Sequence, residues 1–402
     1  LFRLLPKELA AETFTFMDSD TQMHLISGFS DKELREILDE IYVDDTVDII
    51  EEMPANVVSR ILKNTDSETR KQINEILDYP ADSAGSVMTT EYVYLHKTMT
   101  TKEALEWIRK VGVVKETIYT CYVTEARKLI GFVTILDLVT ADEDATIESI
   151  MDTNIIYVYT HEDREDVAKK FSKYDFLAMP IVDNEKRMVG IITFDDVLDV
   201  IAEENEEDFS KMAAMQPIED SYFKTSVFTH AKKRIGWLLF LMLSATITGA
   251  LLTKYEEAFQ AIPILVSFIP MLMSTGGNCG SQSSTTIIRG LATGEIQFKD
   301  VFKAAFKELR ISLIVGLILS ITNGLRIFFV YKDFRLALVI TLSIIGITII
   351  AELIGCLLPL LAKKVRLDPA IMATPLISTI VDTCSMLIYF QIATRVFSEL
   401  HH

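Results

Sequence analysis

Residues Pro375–Tyr389 read PLISTIVDTCSMLIY and place one acid, Asp382, near the centre of the last long apolar segment. An ionised carboxylate at bilayer depth costs roughly 2.5–3.5 kcal/mol on insertion scales. Such a residue persists with a partner, a water-filled path or a bound cation. The stretch therefore marks the C-terminal half as a membrane domain with a polar interior. No Lys or Arg shares the segment at that depth; Asn278, Thr383 and Ser385 are the candidates for a purely structural pairing.

Charge divides the chain in the same way. Leu1–Tyr222 holds 22 Lys+Arg against 47 Asp+Glu, a net 22 − 47 = −25. Phe223–His402 holds 17 against 10, a net 17 − 10 = +7, which returns the total of −18. An acidic half argues against nucleic-acid binding, which needs clustered Lys and Arg on phosphates, and for cations or basic partners. Cys121, Cys279, Cys356 and Cys384 are widely spaced with no CxxC, so neither a disulfide framework nor a zinc site is indicated. The opening LFRLLPKELAAE reads as part of a helix and not as a signal peptide, which suggests a trimmed start, and His401-His402 read as a tag remnant.

Residues 1–85 carry helical periodicity, with Leu34, Ile37, Leu38 and Ile41 on one face and Ser30 or Asp31 as cap, so an all-α bundle is expected. An internal repeat follows. One copy starts at Met88 and the other at Met151, and Gly131, Thr134 and Asp137 recur as Gly190, Thr193 and Asp196 at one constant shift. Each copy reads strand, helix, strand, strand, helix, giving α/β units at 86–148 and 149–205. A connecting helix is placed at 206–232. Five apolar segments, at about 235–255, 261–288, 309–331, 335–362 and 370–396, make up a membrane domain at 233–400, each long enough for about 30 Å of hydrocarbon. Lys232-Lys233-Arg234, the 289–310 loop and Lys363, Lys364 and Arg366 share the side of the N-terminus. Loops with Lys254, Glu256 and Glu257, or Arg326, Lys332 and Arg335, lie opposite. The acidic half is thus cytoplasmic and the C-terminus outside.

Thr275-Gly-Gly-Asn278-Cys-Gly280-Ser-Gln282 interrupts the second segment. Polar backbone at that depth is tolerated only under protein or water. It reads either as a close helix contact through small residues or as pore lining, with Gly276 and Gly277 allowing close approach and Asn278 bracing it by hydrogen bonds. A hard carboxylate such as Asp382 suits Mg²⁺, Ca²⁺ or Mn²⁺, and Mg²⁺ keeps much of its water while taking one or two carboxylates. Glu352, a second intramembrane acid, reads as helix packing or a secondary ion contact.

Together these motifs resemble the MgtE family of Mg²⁺ channels and transporters, over almost the whole chain: helical N domain, tandem CBS domains, linking "plug" helix and five spans. The resemblance implies passive Mg²⁺ uptake, with Mn²⁺ or Co²⁺ as further candidates, by a homodimer in the bacterial inner membrane. It implies Asp382 as the Mg²⁺-selecting acid. Regulatory Mg²⁺ would lie among Glu12, Asp44, Asp48, Asp163, Glu165, Asp175, Asp196, Asp199, Glu204, Glu207 and Asp208, and bound Mg²⁺ would favour the closed form. ATP is a possible modulator, with Tyr119 and Phe176 matching aromatic contacts and Asp137 a ribose-binding acid, although Leu136 stands where the family often has a basic residue. The alternatives are an ion-coupled Mg²⁺ exchanger and a membrane-anchored CBS nucleotide sensor without a pore. No Walker motif or nucleophile–base pair points to a pump or an enzyme.

Overall fold

The computed structural model describes residues 2–218, 222–256, 260, 262–372 and 374–397; Glu257 and His401-His402 lie outside them. The chain forms two compact units, Leu1–Glu203 and Glu204–His402.

In the first unit, six short helices come first: α1 (Lys7–Thr15), α2 (Ser19–Gly28), α3 (Asp31–Leu38), α4 (Val43–Glu51), α5 (Ala55–Asn64) and α6 (Ser67–Leu77). Ser30 caps α3 in a reciprocal box with Glu33, satisfying two backbone donors. The expected face of Leu34, Ile37, Leu38 and Ile41 is buried. That core does not stop at the bundle. Ile26, Leu34 and Ile61 share one apolar cluster with Val158, Phe171, Met179 and Ile192 of the second repeat. The bundle and the second repeat therefore share one core.

The two copies have one topology. In the first, β1 (Tyr92–Leu95) runs parallel to β2 (Thr117–Glu125), which pairs antiparallel with β3 (Lys128–Thr134). In the second, β4 (Val158–Tyr159), β5 (Ala178–Val182) and β6 (Met188–Thr193) repeat the pattern. Helix α7 (Thr101–Val111) crosses over in one and α10 (Arg164–Tyr174) in the other, with α8 (Ile135–Thr140) and α9 (Ile147–Ile150) between the copies.

The repeat glycines show how the copies interlock. A Cβ on Gly131 would meet Met151 Sδ at 2.7 Å, and one on Gly190 would meet Thr89 O at 2.7 Å and Met88 Sδ at 2.8 Å. Thr89 and Ile191 exchange backbone hydrogen bonds of 2.8 and 2.9 Å, and Phe132 and Asp152 do the same at 3.0 and 2.9 Å. The leading segment of each copy thus docks on the last strand of the other, and glycine is needed where the backbones approach.

Helix α11 (Phe194–Met212) grows directly out of β6, so the connecting helix starts within the second repeat and ends earlier than the expected 206–232. Among the described residues the second unit contains five long helices: α12 (Val227–Lys254), α13 (Ile269–Ala292), α14 (Val301–Tyr331), α15 (Phe334–Lys364) and α16 (Thr374–Val396). Among the described residues four spans are long and apolar enough to cross a membrane, Val227–Lys254, Phe298–Tyr331, Phe334–Lys364 and Pro369–Val396. The fifth expected segment is α13, whose 24 residues reach about 36 Å at 1.5 Å per residue. Its small polar run keeps it below that apolarity.

Gly190→Ala is expected to cost about 1–3 kcal/mol, because a backbone carbonyl and a buried Met must move. Gly28→Ala, where a Cβ meets nothing within 4 Å, serves as the control. Thermal unfolding of the full-length protein, with exchange protection of β6 as local readout, checks the contrast.

Candidate functional site

The acids of the first unit converge where helix and strand N-termini meet. Glu91 and Glu116 immediately precede β1 and β2, whose parallel register pairs Tyr92 with Thr117. Glu116 N donates to Glu91 O at 3.0 Å, so both side chains leave the same end of the sheet. Asp44 and Asp45 occupy the first turn of α4, and Asp195 and Asp196 the first turn of α11. Acids are favoured there because helix N-termini carry unpaired N–H groups and positive dipole charge. Carboxylate oxygens of Asp44, Glu91 and Glu116 all lie within 4.8 Å of one another. Asp44 Oδ1, Glu91 Oε2 and Glu116 Oε2 are enclosed with no hydrogen-bond partner.

The electrostatics follow. Burial first, then Asp196, Glu116 and Asp45, hold Asp44 well above the usual carboxylate range. Burial lifts Asp48, one turn further along α4, to about 7, helped by Asp196, Asp45, Glu51 and Glu203. Glu116 rises to about 7 through burial, Asp196, Asp195, Asp45 and Glu91. Burial takes Asp196 to about 6 even though the Thr193 hydroxyl pulls it down. Two unit charges about 5 Å apart repel by about 3 kcal/mol at an effective dielectric of about 20. Enclosed, donor-less, all-oxygen ligands of this kind fit a hard divalent cation.

Of the acids singled out from sequence, Asp44, Asp48 and Asp196 come together here. Asp45, Glu91 and Glu116 belong to the same cluster without having been singled out from sequence, and Asp195, next to Asp196, joins them. Glu12 and Asp199 are exposed, on α1 and α11. Asp163 caps α10, accepting from Glu165 N at 2.9 Å, while the Glu165 carboxylate pairs with Lys169 at 2.8 Å. Asp175 closes α10 in the left-handed region, at φ 54°. In the second unit Glu204 and Asp208 lie on α11. Glu207 pairs with Lys211 at 2.6 Å, and Lys211 reaches Asp368, just before α16, at 2.7 Å. For the nucleotide residues, Tyr119 is exposed, Phe176 packs on Phe171 and Tyr174, and Asp137 Oδ2 accepts from Thr134 N at 2.9 Å.

In the membrane unit α13 presents two different faces. Gly276 approaches Ser385, Val381 and Ile347, Gly277 approaches Ser378, and Gly280 approaches Ile377 and the Ala351 carbonyl. The small residues thus do serve close helix packing. On the other side Ser274, Asn278, Gln282 and Thr285 form an exposed polar stripe at helical spacing. Asn278 makes no hydrogen bond among the described residues, and its amide stands on the open face of α13. Asp382 shares a face of α16 with Ser378 and Ser385, the residues that touch Gly277 and Gly276. It is half-buried at that seam. None of Asn278, Thr383 and Ser385 hydrogen-bonds to it; Thr383 instead meets Thr248 of α12 at 2.9 Å.

Raised carboxyl pKa values set a sign. With no metal present, the native state binds more protons than the unfolded chain from about pH 4, the ordinary carboxylate value, up to the folded values of about 6 to about 7. The stability these groups contribute is full below that window and lost as pH rises through it. Exchange protection of α4 in the full-length protein, measured in chelator, is therefore expected to fall across this range. Mg²⁺ should restore it above the window and do little below it. Asp44→Asn with Glu116→Gln should be better protected in chelator and indifferent to Mg²⁺.

Comparison with known proteins places these features. Residues 269–392 match the family model described as a divalent cation transporter, MgtE; residues 1–82 match the MgtE intracellular N domain, and 84–144 and 147–203 match CBS domains. The magnesium transporter MgtE of Thermus thermophilus is 36% identical over 397 residues, covering 97% of this chain and 87% of that one. Its Bacillus subtilis namesake is 33% identical over 358 residues, covering 89% and 79%. A crystal structure of the cytosolic domain of the Mg²⁺ channel MgtE in complex with ATP is 37% identical with a TM-score of 0.47, covering 50% of this chain and 82% of that one. With relatives of this identity matched along nearly its full length, the chain belongs to the MgtE family.

Proposed function

We propose that this protein is a Mg²⁺-selective channel or transporter that carries the ion passively inward and closes when cytosolic Mg²⁺ binds its acidic half. The observation that carries the reading is the placement of Asp382. Among the described residues this half-buried acid at the α13–α16 seam has no hydrogen-bonded partner, and the opposite face of α13 carries an exposed polar stripe that lipid would not tolerate. Kinship with proteins named magnesium transporters supplies the cargo.

The stripe also supports a two-fold assembly. Ser274, Asn278, Gln282 and Thr285 need water or a second copy against them, and a homodimer provides both. Two symmetric Asp382 carboxylates would then hold a hydrated Mg²⁺ through its water shell. No energy source is required, since the membrane potential gives about 4.6 kcal/mol per 100 mV for a divalent ion. The acidic half faces the cytoplasm in this reading, and the C-terminus lies outside the bacterial inner membrane.

Control falls to the cluster around Asp44, Glu91 and Glu116. Closing these carboxylates on one another costs repulsion that a divalent cation removes, so Mg²⁺ stabilises the state in which they are close. The remaining acids, Glu12, Asp163, Glu165, Asp175, Asp199, Glu204, Glu207 and Asp208, are proposed as further Mg²⁺ contacts. ATP is proposed as a modulator at Tyr119, Phe176 and Asp137, with Thr134 holding the Asp137 carboxylate in place.

Mg²⁺ flux into liposomes containing the pure protein tests the assignment. Asp382→Asn is expected to reduce flux by about tenfold or more, equivalent to roughly 1.4 kcal/mol, with Mn²⁺ and Co²⁺ run in parallel. Unchanged flux and ion preference would remove Asp382 from the pore.

A further inference from the structure

Helix α14 changes character along its outward side. Val301, Ala304 and Ala305 pack against Cys356 and Leu360 of α15, and Glu308 and Ser312 are buried on that same side. On the opposite side Leu313, Leu317 and Ile321 stand half exposed, as expected of a helix that faces hydrocarbon. In the turns before them that face carries Phe302, Phe306, Lys303, Lys307 and Arg310 at helical spacing, all exposed. Phe302 is 86% and Phe306 62% exposed.

Depth follows from length. No residue of α14 between Arg310 and Arg326 is charged, a rise of about 24 Å at 1.5 Å per residue. Both arginines can reach outward along their stems, which extends that length to roughly 30 Å, a full hydrocarbon core. Lys307 and Lys303 then stand about 5 and about 10 Å beyond Arg310, at the depth of the headgroups. Two outward phenylalanines do not suit open water, and three outward cations do not suit hydrocarbon. The headgroup layer suits both.

The cations are not used within the protein. Among the described residues none of Lys303, Lys307 and Arg310 pairs with an acid; Arg310 lies 6.0 Å over the Phe306 ring instead. Glu308 is buried on the packed side, and Asp300 Oδ2 accepts from Gln297 N at 3.1 Å. The end of α15 adds to the same charge. Lys363 and Lys364 are exposed, and Lys364 Nζ lies 4.8 Å over the ring of Phe298, just ahead of α14. We propose that this face of α14 binds the headgroups of anionic phospholipids. Lys303, Lys307 and Arg310 donate to phosphate oxygens, Lys364 closes one side, and Phe302 and Phe306 seat among the ester and upper acyl carbons. A zwitterionic headgroup carries its own ammonium and leaves these cations without a net partner. The site requires only that the unit spans a membrane, and it is independent of the role given to Asp382.

Hydrogen exchange of residues 299–310 in the full-length protein tests the site. It is measured in nanodiscs of phosphatidylcholine alone and of phosphatidylcholine with an equal share of phosphatidylglycerol. Protection of this segment is expected to be about threefold higher with phosphatidylglycerol, and the gain should shrink in high salt because exposed charges are screened. Lys303→Gln/Lys307→Gln/Arg310→Gln should abolish the gain while α15 keeps its protection. Phosphatidylcholine discs supplied with free inorganic phosphate should show no gain. Equal protection of the wild type in the two membranes, the result expected if a second copy covers this face, would overturn the proposal. So would a gain reproduced by free phosphate, or one that survives the triple substitution.

Discussion

Carboxylates out of reach of water and without cations are the constraint on which this molecule depends. It is met where Asp44, Glu91 and Glu116 bring enclosed oxygens within 4.8 Å of one another, and where Asp382 stands half-buried in a membrane helix. Each arrangement is costly as it stands and relieved by a divalent ion. One ion can therefore be both cargo and signal. In the proposed reading the first unit converts its presence into the strength of packing among helices, and the second offers it a path.

The fold explains how distant acids are brought together. Glu91 and Glu116 are fixed by the parallel register of β1 and β2, Asp44 and Asp45 by the first turn of α4, and Asp195 and Asp196 by the first turn of α11. Each helix N-terminus welcomes one acid; the accumulation is what costs. The continuous core between the bundle and the second repeat holds α4 and α11 in place against that repulsion. Helix α11 is also the element that leads from the cluster into the second unit, where Lys211 joins Glu207 to Asp368 ahead of α16.

Much of this was legible in the residues. The constant shift relating Gly131, Thr134 and Asp137 to Gly190, Thr193 and Asp196 announces two like domains, because the same tight approach and the same helix cap recur. The apolar face of α3 and its cap were equally plain. What sequence could not supply was the partner of each glycine, since Met88 docks in the other copy. Glu91 and Glu116 lie far apart in the chain; the signal that could have joined them is that each precedes a strand of one parallel pair. Asp163, a ligand candidate, also caps α10 through one carboxylate oxygen, a short-range role that its place just before a helix makes legible. In α13 the small residues pack on one face of the helix and the exposed polar residues lie on the other.

The most direct test of the central claim varies Mg²⁺ on one side only. With the pure protein in liposomes, and inward Mg²⁺ flux followed while free Mg²⁺ on the face bearing the acidic unit is raised, flux should fall steeply as that cluster fills, at constant driving force. Flux that tracks the driving force alone, with no dependence on Mg²⁺ at the acidic face, would contradict it.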